Sequence, residues 1–360
     1  MELLFKNVTT VDAHSIDVRI SGDGIVERGQ NLTPKKKEHV ADLEGHFLYA
    51  GLVNWHDHLE MNLYPRLGTP PYNNYTEWMK DIYKPKESPL KEIEKTDIDY
   101  RLMWGGIKNM ISGATTVYHH NPSRRANRKD SFPVFVPKIE WSHSLAVEKK
   151  FRTKGDLPFI IHAGEGVDEF ARQEIYKLDE LGLLGKNTFI VHGVGCRSPE
   201  FAILEKTKTS LIWCPASNLY MFNKTADVAG RKNIFLGTDS TLTGSPTLLD
   251  EMRVASGFIP KRQIFDMVSR DSKGFFITPK KKDDPVENLF SLQPKDISLV
   301  VNRGKIRMQD KSIGFPALKK KIVIQGEEKQ TDIDVDKLKM HFEKKVGTKI
   351  LEQNALWRLI

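Results

Sequence analysis

From about residue 50 to residue 275 the chain alternates short β-branched or aromatic runs with segments of helical spacing, and this alternation limits the fold more than any other feature. The runs are Phe47 to Trp55, Ala114 to His119, Val134 to Trp141, Pro158 to His162, Thr188 to His192, Ser210 to Cys214 and Asn233 to Thr238. Between the later ones, Asp168 to Leu184 and Pro199 to Thr207 place apolar residues one helical turn apart. Strand and helix in alternation argue a parallel sheet, and repeats of roughly 20 to 30 residues suit an α/β fold of the (β/α)8-type (TIM) barrel. Seven runs are one short of a closed barrel. Either a strand hides in 59–113 or 141–157, or the barrel is distorted or trimmed.

Before residue 50 the texture is strand and turn, punctuated by Gly22, Gly24 and Gly29, and it returns after Pro285 in Asp296 to Val301 and Lys321 to Ile324. The expected organisation is therefore a composite small β-domain from residues 1–48 plus 285–328, a barrel over 49–284 and a helical C-terminal tail over 329–360. Residues 59–113, with the helical-looking Tyr75 to Tyr83, follow a candidate ligand pair and could form a lid, their role being left open by the sequence.

Charge and composition narrow the partners. Hydrophobic residues make up 39% and charged residues 28%, ordinary for a globular protein, and no window approaches the ~18 apolar residues of a membrane span. Met1 to Asn7 lack a basic region followed by an apolar core, so no secretory signal is expected. Cys196 and Cys214 lie in apolar surroundings and read as reduced, buried thiols of a cytoplasmic protein. The net charge is +8, but the lysines fall in short runs (35–37, 280–282, 319–321) beside proline or turn residues, with no zinc-finger spacing or RNA-binding aromatic signature. Nucleic acid is not an expected partner.

Polar residues at the ends of the runs carry the chemistry. His56 and His58 follow Gly51-Leu52-Val53-Asn54-Trp55, and residues two apart on a strand share a face, so both imidazoles can reach one point. Two surface histidines near a turn would look the same. Pro158 to Ile161 deliver His162 to a second strand end, and Gly164 lets the chain bend so that Glu165 reaches the same centre; a capping role for Glu165 is the plainer alternative. Phe189-Ile190-Val191-His192 repeats the pattern, and Phe235 to Thr238 lead to Asp239, which alone could be a helix cap. Catalytic residues of parallel barrels gather at strand ends, so these side chains together point to a metal site.

The chain resembles the amidohydrolase superfamily, in the branch of cytosine and guanine deaminases and triazine chlorohydrolases. The stretches that carry the resemblance are GLVNWHDHLEMN (51–62), GATTV (113–117), IHAGEG (161–166), VHGVG (191–195), WCPASNLYMFN (213–223) and GTDSTLTGSPTLLDEMR (237–253). The resemblance implies one divalent metal, zinc first with iron or manganese as alternatives, on His56, His58, His162 and Asp239. It implies Glu165 as proton shuttle, His192 as a polarising group and Asp239 as orienter of the water. Asn218 is implied to be structural or pocket-lining. Trp55, Asn62 and His143 are further candidates to touch substrate, core packing being the default for Trp55; of His119 and His120, one is expected to face the pocket. Relative to the family, one βα unit is missing between 120 and 160. Lys138 is the only lysine at a plausible barrel strand, and a carbamylated, two-metal site there is disfavoured by the His-x-x-Glu pattern.

The expected reaction is hydrolytic deamination of an amino-substituted heterocycle. Hydrolysis of a cyclic amide or of another C–N or C–Cl bond is second, and a catalytically silent scaffold, which would be expected to have lost ligands, is third. The expected partner is a small molecule, with an anionic substituent suggested by Arg124, Arg125, Arg128 and Lys129 after the second strand. Neither membrane nor nucleic acid is expected to bind, and an assembly of identical chains is compatible with the sequence.

Overall fold

A computed structural model describes residues 2–12, 14–22, 24–151, 155–270 and 273–360. The fold is α/β with parallel sheets. The run Phe47 to Trp55 is two strands, not one: His46–Ala50 and Leu52–Asp57. They belong to different sheets, and the chain crosses between them at Gly51, whose amide donates to Gly274 O at 3.0 Å. A Cβ at Gly51 would fall on the Thr115 hydroxyl and the Lys273 carbonyl, so only glycine fits this crossing.

His46–Ala50 pairs antiparallel with Phe275–Pro279 and parallel with Glu2–Thr10. Through these pairings, strands from both ends of the chain share one ten-stranded sheet. Phe5, Val8, Val18, Leu48, Ile277 and Val301 bury one of its faces, as the alternation of apolar residues in those strands requires.

The remaining strands are all parallel. Leu52–Asp57 pairs with Ala114–His119, and a five-stranded sheet runs through Glu140–Ser144, Phe159–Ala163, Thr188–His192, Ser210–Trp213 and Ile234–Leu236. The expected strand Val134 to Trp141 is broken by Pro137, which has no amide to donate. Its first part makes a single bridge, Phe135 to Thr116, and the ladder resumes only at Glu140. No further parallel strand appears among the described residues of 59–113, which fold instead into a short turn, Leu59–Met61, and helices Tyr75–Ile82, Leu90–Ile93 and Ile98–Met110. The parallel ladders do not form a continuous closed ring among the described residues. Val53, Trp55, Ile160, Val191, Ile212 and Phe235 pack together from one face of these strands, while residues such as Ile161, Leu211 and Leu236 pack with the helices in the main core.

Helices Val335–Val346 and Thr348–Leu351 close the chain, and Leu338, Phe342, Leu356 and Trp357 enter that main core beside Trp104. Buried Asn354 donates to Asn62 O (3.1 Å), Tyr64 O (2.7 Å) and Thr241 Oγ1 (3.1 Å), so the C-terminal tail braces loops behind the site.

Helix Ile98–Met110 crosses the Leu59–Met61 turn at Gly105, where a Cβ would collide with the Leu59 carbonyl. Alanine there raises helix propensity by ~1 kcal/mol, but backbone cannot yield as a flexible side chain would. Gly105→Ala should therefore destabilise the protein by about 1–3 kcal/mol, measured as a lower urea midpoint; a raised midpoint would show that the turn moves freely.

Candidate metal centre

Local backbone geometry delivers the site's side chains. His162 follows Ile160 on the same face of its strand, in line with period-two alternation. His56 needs the register irregularity between Asn54 and Asp57, and Glu165, His192 and Asp239 each need a departure in the backbone. Gly164 has φ +66°, and it supplies the bend that brings Glu165 to the cavity. His192 (φ +77°) and Asp239 (φ +54°) themselves take the left-handed region, which costs a side-chain-bearing residue roughly 1–3 kcal/mol and is held by the surrounding structure.

Three imidazoles and one carboxylate converge. His162 Nε2 lies 3.3 Å from His56 Nε2 and 3.3 Å from His58 Nε2. Asp239 Oδ1 is 3.9 Å from His56 Nε2 and 4.0 Å from His58 Nε2. Ligands ~2.0–2.2 Å from a tetrahedral ion are themselves ~3.3–3.6 Å apart, so these donors fit a single cation with little adjustment. His162 Nδ1 donates to His143 O at 2.8 Å, which leaves Nε2 as a bare lone pair facing the other rings. Lone pairs that close repel one another unless a cation sits between them.

Electrostatics favour metal-binding forms of these groups. Burial drives the His56 and His162 pKa values far below the usual imidazole range, and the neighbouring rings add to the effect, so both are neutral. Burial alone would raise Asp239, but the charges of His58 and His192, the Ser240 amide and the Ser217 hydroxyl outweigh it and hold the carboxyl low. Its oxygens accept from Ser240 N (2.7 Å), Ser217 Oγ (2.9 Å) and Thr243 Oγ1 (3.0 Å). Neither capping alternative is realised. Asp168 caps helix Glu169–Glu180 in place of Glu165, and no helix starts at Asp239.

Glu165 is buried, with Oε1 3.6 Å from His192 Nε2. Burial, followed by the negative charges of Asp239 and Glu174, pushes its carboxyl well above the normal range. His192 Nδ1 donates to Asn218 Oδ1 at 2.8 Å, and Asn218 Nδ2 donates to Thr225 Oγ1 at 3.1 Å, which fixes both the amide and the ring. A cavity of about 210 Å³ opens over this group. Its polar floor is His58, His143, His162, Glu165, His192 and Asp239, and its wall includes Met61, Trp78, Met79, Ile82, Tyr83, Met221 and Leu242.

His143 thus lines the cavity, whereas Trp55, Asn62 and Asn218 do not. Trp55 is core, stacked on Tyr118 with ring centroids 4.5 Å apart. Asn62 is buried against Asp57 Oδ1 at 2.8 Å, and Asn218 acts on His192 from behind. Arg124 and Arg125 are exposed and Lys138 is exposed; none of the three lines the cavity or joins the ligand cluster. Sequence reasoning left His120 undecided. It is buried, stacks on His162 at 4.4 Å and stands within ligand reach of the cluster, with its Nε2 donating to Ser142 O at 2.9 Å. It overlooked Glu174, whose carboxylate accepts from Gly164 N (3.0 Å) and Tyr75 OH (2.9 Å) and so holds the bend before Glu165; nothing in a helical glutamate's sequence context signals that.

A histidine-rich cluster at the ends of parallel strands is the architecture of a metal-dependent hydrolase. The chain is similar to enzymes of the amidohydrolase superfamily, and its named deaminase relatives support an enzyme that acts on carbon–nitrogen bonds. It is similar to the 5-methylthioadenosine/S-adenosylhomocysteine deaminase of Pyrococcus furiosus, 26% identical over 303 residues that cover 67% of this chain and 70% of that protein. It is also similar to the 5'-deoxyadenosine deaminase of Methanothermobacter thermautotrophicus, at 23% identity over 86% of this chain and 93% of that one. No family model matches the chain. Its fold is shared with a zinc complex of an atrazine chlorohydrolase from Arthrobacter aurescens (TM-score 0.69, 13% identity, 96% of this chain and 100% of the other). An adenosine deaminase from Xanthomonas campestris with bound zinc gives a TM-score of 0.67 at 14% identity, over 95% of this chain and 97% of that one.

Glu174 generates a pH prediction. Burial pushes its carboxyl up to about 7, against the Tyr75 and Gly164 hydrogen bonds that pull it down. An unfolded glutamate titrates near ~4.3, so the folded state holds an extra proton between these values. That contribution is complete below ~4.3 and disappears as pH rises through about 7. Glu174→Gln cannot ionise, so between acid and neutral pH wild type should lose up to about 3 kcal/mol relative to the variant. Parallel pH–stability profiles for the two proteins would refute this.

Proposed function

We propose that the protein is a one-metal aminohydrolase that removes an amino group from an uncharged heterocycle. The observation that carries this reading is the convergence of His56, His58, His162 and Asp239 with Glu165 at the floor of one cavity. The three imidazole Nε2 atoms and the Asp239 carboxylate would hold one divalent ion, zinc by preference, with iron and manganese compatible with the same donors. When bound, the ion supplies Lewis-acid activation of a water.

The residues supply the rest. Glu165 faces the cavity and takes the proton of the attacking water; it then passes a proton to the departing amino nitrogen. A C–O bond forms, the C–N bond breaks, and ammonia leaves with the carbonyl product behind. The high proton affinity of Glu165 suits its role as the acid. His192, held by Asn218, contacts the ring atom next to the reacting carbon, and Asp239 orients the water. The deaminase names of the sequence relatives support an aminated ring as substrate. The cavity wall supports its neutrality, since neither lysine nor arginine lines it. An anionic substituent would find no partner there.

The same reading takes residues 49–284 as a catalytic barrel one βα unit short, residues 1–48 plus 285–328 as a composite β-domain and 329–360 as a tail. No helix among the described residues is long and apolar enough to cross a membrane, and the free, buried Cys196 and Cys214 suit a cytoplasmic setting.

Purified protein should carry about one metal per chain, and His56→Ala or Asp239→Ala should lose metal and activity together. Glu165→Gln should keep the metal while ammonia release from 5'-methylthioadenosine, 5'-deoxyadenosine or a neutral amino-triazine falls ~10²-fold or more. Near wild-type turnover in that variant would remove Glu165 from the mechanism, and two metals per chain would overturn the mononuclear site.

A further inference from the structure

The first parallel strand, Leu52–Asp57, carries two ligands at its end, and the last, Ile234–Leu236, leads to the fourth. No ladder joins these two strands. The backbone bonds across their seam are Thr238 N and Asp239 N, both donating to His56 O at 3.1 Å. The chains approach so closely that a Cβ on Gly237 would lie 2.7 Å from His56 Cβ. The other bonds across the seam are buried side-chain hydrogen bonds.

Lys108 stands at their centre. It projects from helix Ile98–Met110 and is fully buried. Its ammonium donates to Asp57 Oδ2 (3.2 Å), Thr238 Oγ1 (2.9 Å) and Asp239 O (2.7 Å). Asp57, between the two ligand histidines, also accepts from Asn62 Nδ2 at Oδ1 and from Asn109 Nδ2 at Oδ2, each at 2.8 Å. Asn54 adds bonds to Thr238 N (3.0 Å) and Thr238 Oγ1 (2.8 Å).

We infer that the Asp57–Lys108 ion pair is a positioning device for the metal centre: it sets the separation between the His56/His58 pair and Asp239. This rests on the metal reading above. Stability alone does not account for the pair. Two buried charges lose their hydration, and well-packed apolar substitutes are commonly as stable or more so. What an ammonium provides is three diverging donors, and here two of them grip the segment that presents Asp239. The grip is made to its backbone carbonyl and to its neighbour's hydroxyl, so the carboxylate stays free for the ion.

The test compares wild type, Lys108→Met, Asp57→Asn and the double variant by two measurements: the urea midpoint of metal-free protein, and zinc affinity by competition with a chelator. Each single variant leaves one buried charge or its partners unmatched and should lower the midpoint. The double variant should regain most of that midpoint while its zinc affinity stays ~10–100-fold below wild type, the range typical of supports behind metal ligands. Thr238→Val, nearly isosteric, removes the shared hydroxyl acceptor and should weaken zinc several-fold even where the charge variants do not fold. Wild-type zinc affinity in the double variant, or in Thr238→Val if the others fail to fold, would reduce the pair to a structural role. Absence of zinc binding by wild type would instead overturn the metal reading and this inference with it.

Discussion

Burial of imidazole without protonation governs this molecule. A histidine in water is partly charged near neutral pH, and a cluster of charged rings could neither approach nor bind a cation. Here the rings of His56, His120 and His162 are removed from water, and the loss of hydration together with mutual repulsion drives their proton affinity far down. Neutral rings can stack as closely as His120 and His162 do and leave lone pairs aimed at one point. Everything around the cluster serves that arrangement: the apolar packing of the parallel strands, the helix across the Leu59–Met61 turn and the tail braced by Asn354.

The carboxylates beside the rings show the complementary effect. The surrounding imidazoles, the Ser240 amide and the Ser217 hydroxyl hold the Asp239 carboxyl low, whereas burial and the negative charges of Asp239 and Glu174 raise that of Glu165. Two acidic groups in one cavity are thus pushed in opposite directions, and the division suits a metal-binding carboxylate on one side and a proton carrier on the other. Glu174 extends the pattern outward, joining the bend at Gly164 to Tyr75 in the cavity wall.

The architecture around the site is built from one large mixed sheet and two separate parallel ones, with no strand in common among the described residues. Gly51 is where the chain leaves the mixed sheet for a parallel one, and the first ligands appear within a few residues of that crossing. The mixed sheet ties both ends of the chain together, while the parallel strands lead to the histidine cluster. Where the parallel ladders stop, at the seam of Leu52–Asp57 and Ile234–Leu236, a polar network takes over the work of holding strands in register.

The candidate metal-binding residues stand out in the sequence because they fall at the ends of strand-like runs. His162 ends an apolar run and period-two alternation aims it, whereas His56, next to the core residue Trp55, reaches the same centre through the irregularity of its strand between Asn54 and Asp57. The bend at Gly164 could be anticipated from a glycine before Glu165. Other features had no local signal. Lys108 sits in a helical pattern as an ordinary lysine, and Asp57 looks like a spacer between two histidines; their pairing spans 51 residues and exists only after helix and strand pack. Trp55 could have lined the cavity or the core by sequence alone, and its stacking on Tyr118 decided for the core. The Arg124–Arg125 loop could be read in the sequence as a charged pocket mouth or as a solvated basic loop; the cavity wall comes from Met61, Trp78, Met79 and Met221, drawn from the segment after His58 and a helix much later in the chain. Which polar residues stand at strand ends is set over a few residues of backbone, and so the sequence determined it. Burial, buried charge pairs and cavity walls depend on which distant surfaces meet, and only the tertiary structure decided those.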